Sequence, residues 1–502
     1  MSENMTIVGA HLSGARSAVL SKPGAVDIFV QGGRITDIAP QGAKKPRGHI
    51  IHADGAWALP GLWDHHVHVV QWALWSQREF LGDAQSAREA AYRMAAAPIL
   101  PDGRKVGAGY RDALWPDAPS RMLIDSHTGE IPTYLINSDV HSVWLNSAAL
   151  RREQFSGLDD DGVLREELAF EVSRRLNATD DHTADAAVIQ AGEHAAARGV
   201  VGLVDFDMAW TPDAWARRIR NGFHTQHVSY SIYPQDLDRA ISEGLRTGDA
   251  LRDTQLTPQQ RTQALMGSLK IISDGSLGTR TAACTHAYDD DPDNRGVLTV
   301  APEDLRELLV RAATHAITVA VHAIGDVAAS AALDAFSYSK AQGTIEHAQL
   351  LRHSDIVRFV QLGITASVQP QHAVDDRELA ALLWSQQTSL AYPLQSLVNT
   401  DVTLRFGSDA PVSPLDPWLG IAAATSTDEQ GRGARPAQES VSIDTALAAT
   451  TRNGTANPAA LAAGDEADIV LCETNPATAT TQELASMGVV TTIMRGAVTY
   501  QK

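Results

Sequence analysis

The sequence predicts an α/β protein: a distorted (β/α)8 TIM barrel with a small β-sandwich domain built from both termini. Three observations point there. Helical segments alternate with short apolar strands through about 390 central residues, the pattern of a parallel sheet with helical cover. Both ends of the chain read as short strands with Gly-rich turns. Several chemistry-bearing side chains stand where an apolar strand gives way to Gly, Ser, Asp or Pro. In a barrel that is the carboxyl end of a strand, where active sites are built.

The terminal strands come first. MTIVGAHLSG (5–14), AVDIFVQGGRITDIAP (25–40) and HIIHADGAWALP (49–60) cluster or alternate apolar residues between turns, and DEADIVLCETNP (465–476) and GVVTTIMRGAVTYQK (488–502) do the same at the other end. They suggest one composite domain from residues 1–58 and 453–502. The barrel then spans 59–452. Its helices include AREAAYRMAAA (87–97), DAAVIQAGEHAAARG (185–199), PEDLRELLVRAATHA (302–316) and SVSIDTALAATTRNG (440–454). Its strands include VVGLVDF, GSLKIIS, ITVAVHA, GTIEHA, ITASVQP and VTLRFGS.

Composition narrows the function classes. A chain of 502 residues suggests one large domain plus a smaller one. A formal charge of -19 repels phosphate backbones and anionic membranes, so neither nucleic acid nor a membrane is an expected partner. The two cysteines, Cys284 and Cys472, make no disulfide framework and no CxxC-type metal site. The start lacks a basic stretch followed by an apolar core, and no apolar run approaches the roughly 20 residues of a membrane span. A reducing cytoplasm is the expected compartment.

The chemistry begins at PGLWDHHVH (60–68). Alternate side chains of a strand share a face. Asp64, His66 and His68 then point one way, and His65 the other, where a structural role suits it. Two imidazoles at i and i+2 can grip one metal ion. Among 18 histidines a His-x-His is weak evidence alone. Others join it: Lys270 within a buried-looking strand, His322 after ITVAV, His347 after GTIE, and Asp409 after VTLRFGS. Singly, a histidine after a strand is usually a hydrogen-bonded core or loop residue, a buried lysine pairs with a carboxylate (Asp274 is the candidate), and Asp409 before Ala-Pro serves as a turn residue. Five such coincidences are harder to dismiss. The intervals fit barrel units. They assign His66 and His68 to strand 1, Lys270 to strand 4, His322 to strand 5, His347 to strand 6 and Asp409 to strand 8. GVVGLVDFD (199–207) is assigned to strand 3. The stretch between about 70 and 195 is too long for its share of units and reads as an insertion.

At this point the chain resembles the amidohydrolase superfamily, and within it the amidohydrolase-3 branch of YtcJ-like and N-substituted formamide deformylase-like proteins. PGLWDHHVH is similar to that superfamily's PGxxDxHxH motif. GAGYRDALWPDAPSR (107–121), DVHSVWLNSAAL (139–150), LKIISDGSLGTRTAA (269–283), VHAIGDVA (321–328), IEHAQLL (345–351), SVQPQHAVDD (367–376) and FGSDAPVSPLDPW (406–418) resemble the branch in order.

The resemblance implies that His66, His68, His322, His347 and Asp409 bind metal. It further implies that Lys270, carboxylated by carbon dioxide, bridges two divalent ions, with zinc expected. An ammonium would repel the ions, whereas a carbamate offers two anionic oxygens. The implied activity is hydrolysis of an amide or N-formyl-type C–N bond, outside peptide bonds, through a metal-activated hydroxide. Asp409 serves as general base and then acid, and Asp64 orients a ligand. His141, Trp144, Arg280, Gln369 and His372 are the expected substrate contacts, and a homodimer is the family-level assembly. Three rivals remain: a mononuclear deaminase of the same superfamily, against which Lys270 argues; a metal-free, non-catalytic barrel, against which the full ligand set argues; and, more weakly, a sugar-binding or glycosidase barrel, for which no carboxylate pair stands out as the histidines do.

Overall fold

The computed structural model describes residues 4–13, 24–112, 115–137, 142–155, 161–165, 167–177, 180–426 and 437–502. Eight strands form the barrel: β1 (Leu62–Val67), β2 (Val200–Asp205), β3 (His227–Ile232), β4 (Ala264–Ile272), β5 (Val319–Ala323), β6 (Gly343–His347), β7 (Thr365–Val368) and β8 (Leu404–Phe406). Each pairs in parallel with the next. Just beyond β1 and β8 the ring closes: Asp409 N donates to His66 O at 2.7 Å and His68 N to Ala410 O at 2.9 Å. Strands such as VAVHA are short, apolar and buried, as a sheet covered on both faces requires. Between strands run helices such as Pro302–Thr314, which opens with Pro, Glu303 and Asp304, and His353–Leu362, which stops at Gly363 with φ 68°. The sequence expectation of a distorted barrel with a β domain is met.

One strand assignment needs correcting. GVVGLVDFD supplies the second strand, not the third, because Val200–Asp205 pairs directly with β1. The third is HVSYSI at His227–Ile232. Its polar alternate residues, His227, Ser229 and Ser231, hid it from a search for apolar runs. They are tolerated because His227 Nε2 lies 2.9 Å from Asp468 Oδ2 and because Gly267 leaves room for Ser229; a Cβ there would stand 2.6 Å from Ser229 Oγ.

Strands from both ends of the chain share one hydrogen-bonded sheet of eight. Ile469–Cys472 pairs antiparallel with Trp57–Pro60, and Met5–Leu12 links that half to Val26–Gln31. Ile7, Ile28, Ile35, Ile469, Leu471 and Ile493 form its core.

Residues Val70–Ala191 form a separate compact unit. Its five-stranded sheet runs from Glu79–Phe80 through Lys105–Tyr110, Thr133–Asn137 and Ser142–Leu145 to Val163–Arg165. Trp144 packs with Tyr110, Met94 and Ile124 in this unit's own core and is fully buried. Among the described residues, no helix is long and apolar enough to cross a membrane.

Candidate metal centre

β1 delivers its side chains with the period of two that a strand imposes. Asp64 Oδ1 accepts from the backbone N–H of His66 at 3.1 Å and of Ser408 at 2.9 Å, tying β1 to the segment after β8. Burial pushes its carboxyl up to about 6, against the pull of those hydrogen bonds. His65 faces away: its Nε2 lies 2.8 Å from Thr451 O, and burial lowers it to about 3, so it is a neutral structural group. Gly407 lets the two strands approach, since a Cβ there would stand 2.6 Å from His66 N and 3.1 Å from Asp64 Oδ1. Gly407→Ala is therefore expected to cost about 1–3 kcal/mol through overpacking, read as a lower denaturation midpoint.

His66 is the hub. Its Nδ1 sits 2.8 Å from Glu346 Oε2, which fixes the ring and leaves Nε2 facing the cluster. Nε2 lies 3.3 Å from Lys270 Nζ and 3.4 Å from Asp409 Oδ1. The His66 ring stands 4.9 Å from that of His347, centroid to centroid, and 4.5 Å from Phe206. His68 Nε2 is 3.3 Å from the same Asp409 oxygen. His322 and His347 meet edge to face at 4.4 Å, and His322 Nε2 points at Gly275 O, 3.3 Å away.

Neighbouring residues of a strand normally face opposite ways, yet Glu346 and His347 both reach His66. His347 has φ 70° and Ala348 φ 46°, which breaks the alternation at the end of β6. Asp409 has φ 58°. Non-glycine residues rarely adopt this conformation, and such strain concentrates at functional sites.

The electrostatics suit a cation. Burial lowers His66, His322 and His347, with Lys270 and neighbouring imidazoles adding to it, so these rings stay neutral. Burial would raise Asp409, but the surrounding histidines hold it well below the usual carboxylate range. Burial also opposes ionisation of Glu346, yet the His66 hydrogen bond and the Lys270 charge keep it at about 2. Burial pulls Lys270 down to about 8, so roughly a tenth of the amine is free at pH 7, far more than for an exposed lysine. Its Nζ lies 4.2 Å from the Phe206 ring centroid.

The donor set fits divalent ions. His66, His68 and Asp409 offer ligand atoms all within 4.8 Å of one another, and so do His347, His372 and Asp409. The 3.3–3.4 Å separations around Asp409 Oδ1 match the roughly 3.3 Å between donors bonded at about 2.0–2.1 Å to one tetrahedral ion. His68 Nδ1, His347 Nδ1 and His372 Nε2 are buried with no hydrogen-bond partner.

Thus His66, His68, Lys270, His322, His347 and Asp409 converge, with Asp64 behind them. Of the expected substrate contacts, Gln369 Nε2 reaches His66 Nδ1 at 3.4 Å and His372 Nε2 lies 3.9 Å from Asp409 Oδ2. Trp144 belongs to the core of the 70–191 unit, and Arg280 pairs with Asp290 at 2.6 Å on the surface. His141 lies outside the described residues. Asp274 does not partner Lys270; it accepts from the amides of Ala283, Ile324 and Gly325 at 2.8–3.1 Å, joining the loops after β4 and β5. Glu346 and Phe206 went unnoticed in the sequence. A lone acidic residue inside an otherwise buried strand was the available signal for Glu346.

A family model described as "Amidohydrolase family" matches residues 49–500. The chain is 28% identical over 443 residues to the protein LONG AFTER FAR-RED 3 of Arabidopsis thaliana, covering 80% of this chain and 75% of that one. It is 25% identical over 499 residues to the amidohydrolase YtcJ of Bacillus subtilis, covering 91% of each. An N-substituted formamide deformylase of Arthrobacter pascens is 25% identical over 259 residues, 47% of this chain and 46% of that one. An uncharacterized metal-dependent hydrolase from Pyrococcus horikoshii OT3 shares the fold, with a TM-score of 0.75 at 22% identity over 95% of this chain and 99% of that one.

Proposed function

The chain belongs to the amidohydrolase family, and on that premise we propose a metal-dependent hydrolase that opens an amide or N-formyl-type C–N bond in a small molecule. The observation that carries this reading is the convergence of His66, His68 and Asp409, whose ligand atoms lie within 4.8 Å of one another at the carboxyl mouth of the barrel. Similarity to an N-substituted formamide deformylase supports the bond type.

His66 and His68 would hold one zinc ion with Asp409, and His322 and His347 would hold a second. Carboxylation of Lys270, whose Nζ points into the cluster, would turn a cation into an anionic bridge. Bound divalent ions polarise a carbonyl and lower the pKa of water toward neutrality. The chain's own residues do the rest. Glu346 keeps the Nε2 lone pair of His66 directed inward. Asp409, kept ionised by the imidazoles around it, takes the water's proton on a carboxylate oxygen and passes it to the leaving nitrogen. The buried Phe206 keeps water away from Lys270 and His66.

The test is turnover of N-formyl amines, acyl amides, cyclic imides and lactones, each with and without added zinc. Zinc-dependent hydrolysis of N-formyl amines or amides is expected. Turnover confined to lactones would reject the C–N assignment, and turnover indifferent to zinc and to chelation would reject the metal.

A further inference from the structure

We propose that His372 is a metal ligand at the second cation subsite, the one given above to His322 and His347, where with His347 and Asp409 it makes Asp409 common to both ions. The inference rests on the metal-dependent reading above and adds a residue after β7 to the ligands drawn from strands 1, 4, 5, 6 and 8.

Asp409 presents a different oxygen to each side. Its Oδ1 faces His66 Nε2 at 3.4 Å and His68 Nε2 at 3.3 Å, while its Oδ2 faces His372 Nε2 at 3.9 Å. A carboxylate with imidazole donors beyond both oxygens is arranged as a bridge. The 3.9 Å gap is too long for a direct hydrogen bond. Two donors bonded at about 2.0–2.1 Å to one tetrahedral ion stand roughly 3.3 Å apart, so a bound ion would draw these two atoms together by about 0.6 Å.

His372 is 5 % exposed, and its Nε2 has no hydrogen-bond partner. A buried imidazole nitrogen left unpaired is costly unless something else satisfies it. The other nitrogen, Nδ1, lies 3.3 Å from Gln349 Nε2, while Gln349 Oε1 is buried and unpartnered. A half-turn of that amide brings Oε1 to Nδ1. Nδ1–H then donates to it, and the lone pair falls on Nε2, toward Asp409. The His347 ring lies 6.1 Å away and nearly parallel, at 12°, so both rings flank the same space.

Zinc titration by dialysis and elemental analysis tests the assignment. The wild-type chain is expected to take two ions. His372→Gln is expected to lose the second, or to weaken it beyond the roughly 10–100-fold that removal of an outer-shell partner produces. In His372→Cys loaded with cobalt(II), the introduced thiolate is expected to add a sulfur-to-cobalt charge-transfer band absent from the cobalt-loaded wild type. Two ions retained in His372→Gln at near-wild-type affinity, a wild type that takes only one, or a folded His372→Cys protein without the band would overturn the proposal. A wild type that takes up no zinc would overturn the metal-dependent reading itself.

Discussion

Asp409→Asn is expected to lower turnover by about 10²–10⁴-fold, the share that a positioned acid–base group contributes, while the protein stays folded and keeps the ion on the side of its remaining oxygen. The substitution preserves shape and one ligating oxygen. It also preserves the backbone, because asparagine adopts the φ of 58° at this position as readily as aspartate. What disappears is the negative charge that four histidines hold in place and the oxygen able to accept a proton. An amide nitrogen cannot take over that transfer. Measuring kcat, bound zinc and thermal midpoint on one preparation separates the effects, and an unchanged kcat would reject the role.

Glu346→Ala is expected to destabilise the fold by about 1–3 kcal/mol, the cost of leaving a buried hydrogen-bond donor without its acceptor. It is also expected to weaken zinc binding by about 10–100-fold. Glu346 is buried and serves three groups. Its Oε2 accepts from His66 Nδ1 at 2.8 Å, its Oε1 accepts from Thr344 Oγ1, and its charge offsets the burial that lowers Arg405. Truncation strands all three and frees the His66 ring to change tautomer. Glu346→Gln keeps an acceptor for Nδ1 and should recover part of the zinc affinity. Denaturant midpoints with zinc dialysis check both variants. An alanine variant as stable and as zinc-avid as wild type would show that Glu346 does not position His66.

Much of this centre could be read before any coordinates. The period of two in WDHHVH separated His66 and His68 from His65. Lys270, His322, His347 and Asp409, each ordinary when taken singly, stood out because they recur on several strands of one barrel and match the positions the family resemblance implied. What escaped depended on partners that a linear reading does not supply. HVSYSI looked too polar for a barrel strand, since neither Asp468 nor the room at Gly267 can be seen from residues 227–232. Glu346 looked like an ordinary strand residue because its importance lies in an imidazole 280 positions earlier. Trp144 invited a binding role through its aromatic bulk, yet the sheet of the 70–191 unit needed that bulk for its own interior.

The main-chain clasp between His66 and Asp409 has a consequence for how the molecule breathes. The first and last strands of the ring meet where the candidate ligands His66, His68 and Asp409 sit on both sides, so an ion gripping both would resist any parting of that pair. Amide protons at His68 and Asp409 report on this junction, because each is engaged across it. With an ion held by both segments, their exchange with solvent would slow, because opening the ring there would require releasing the ion.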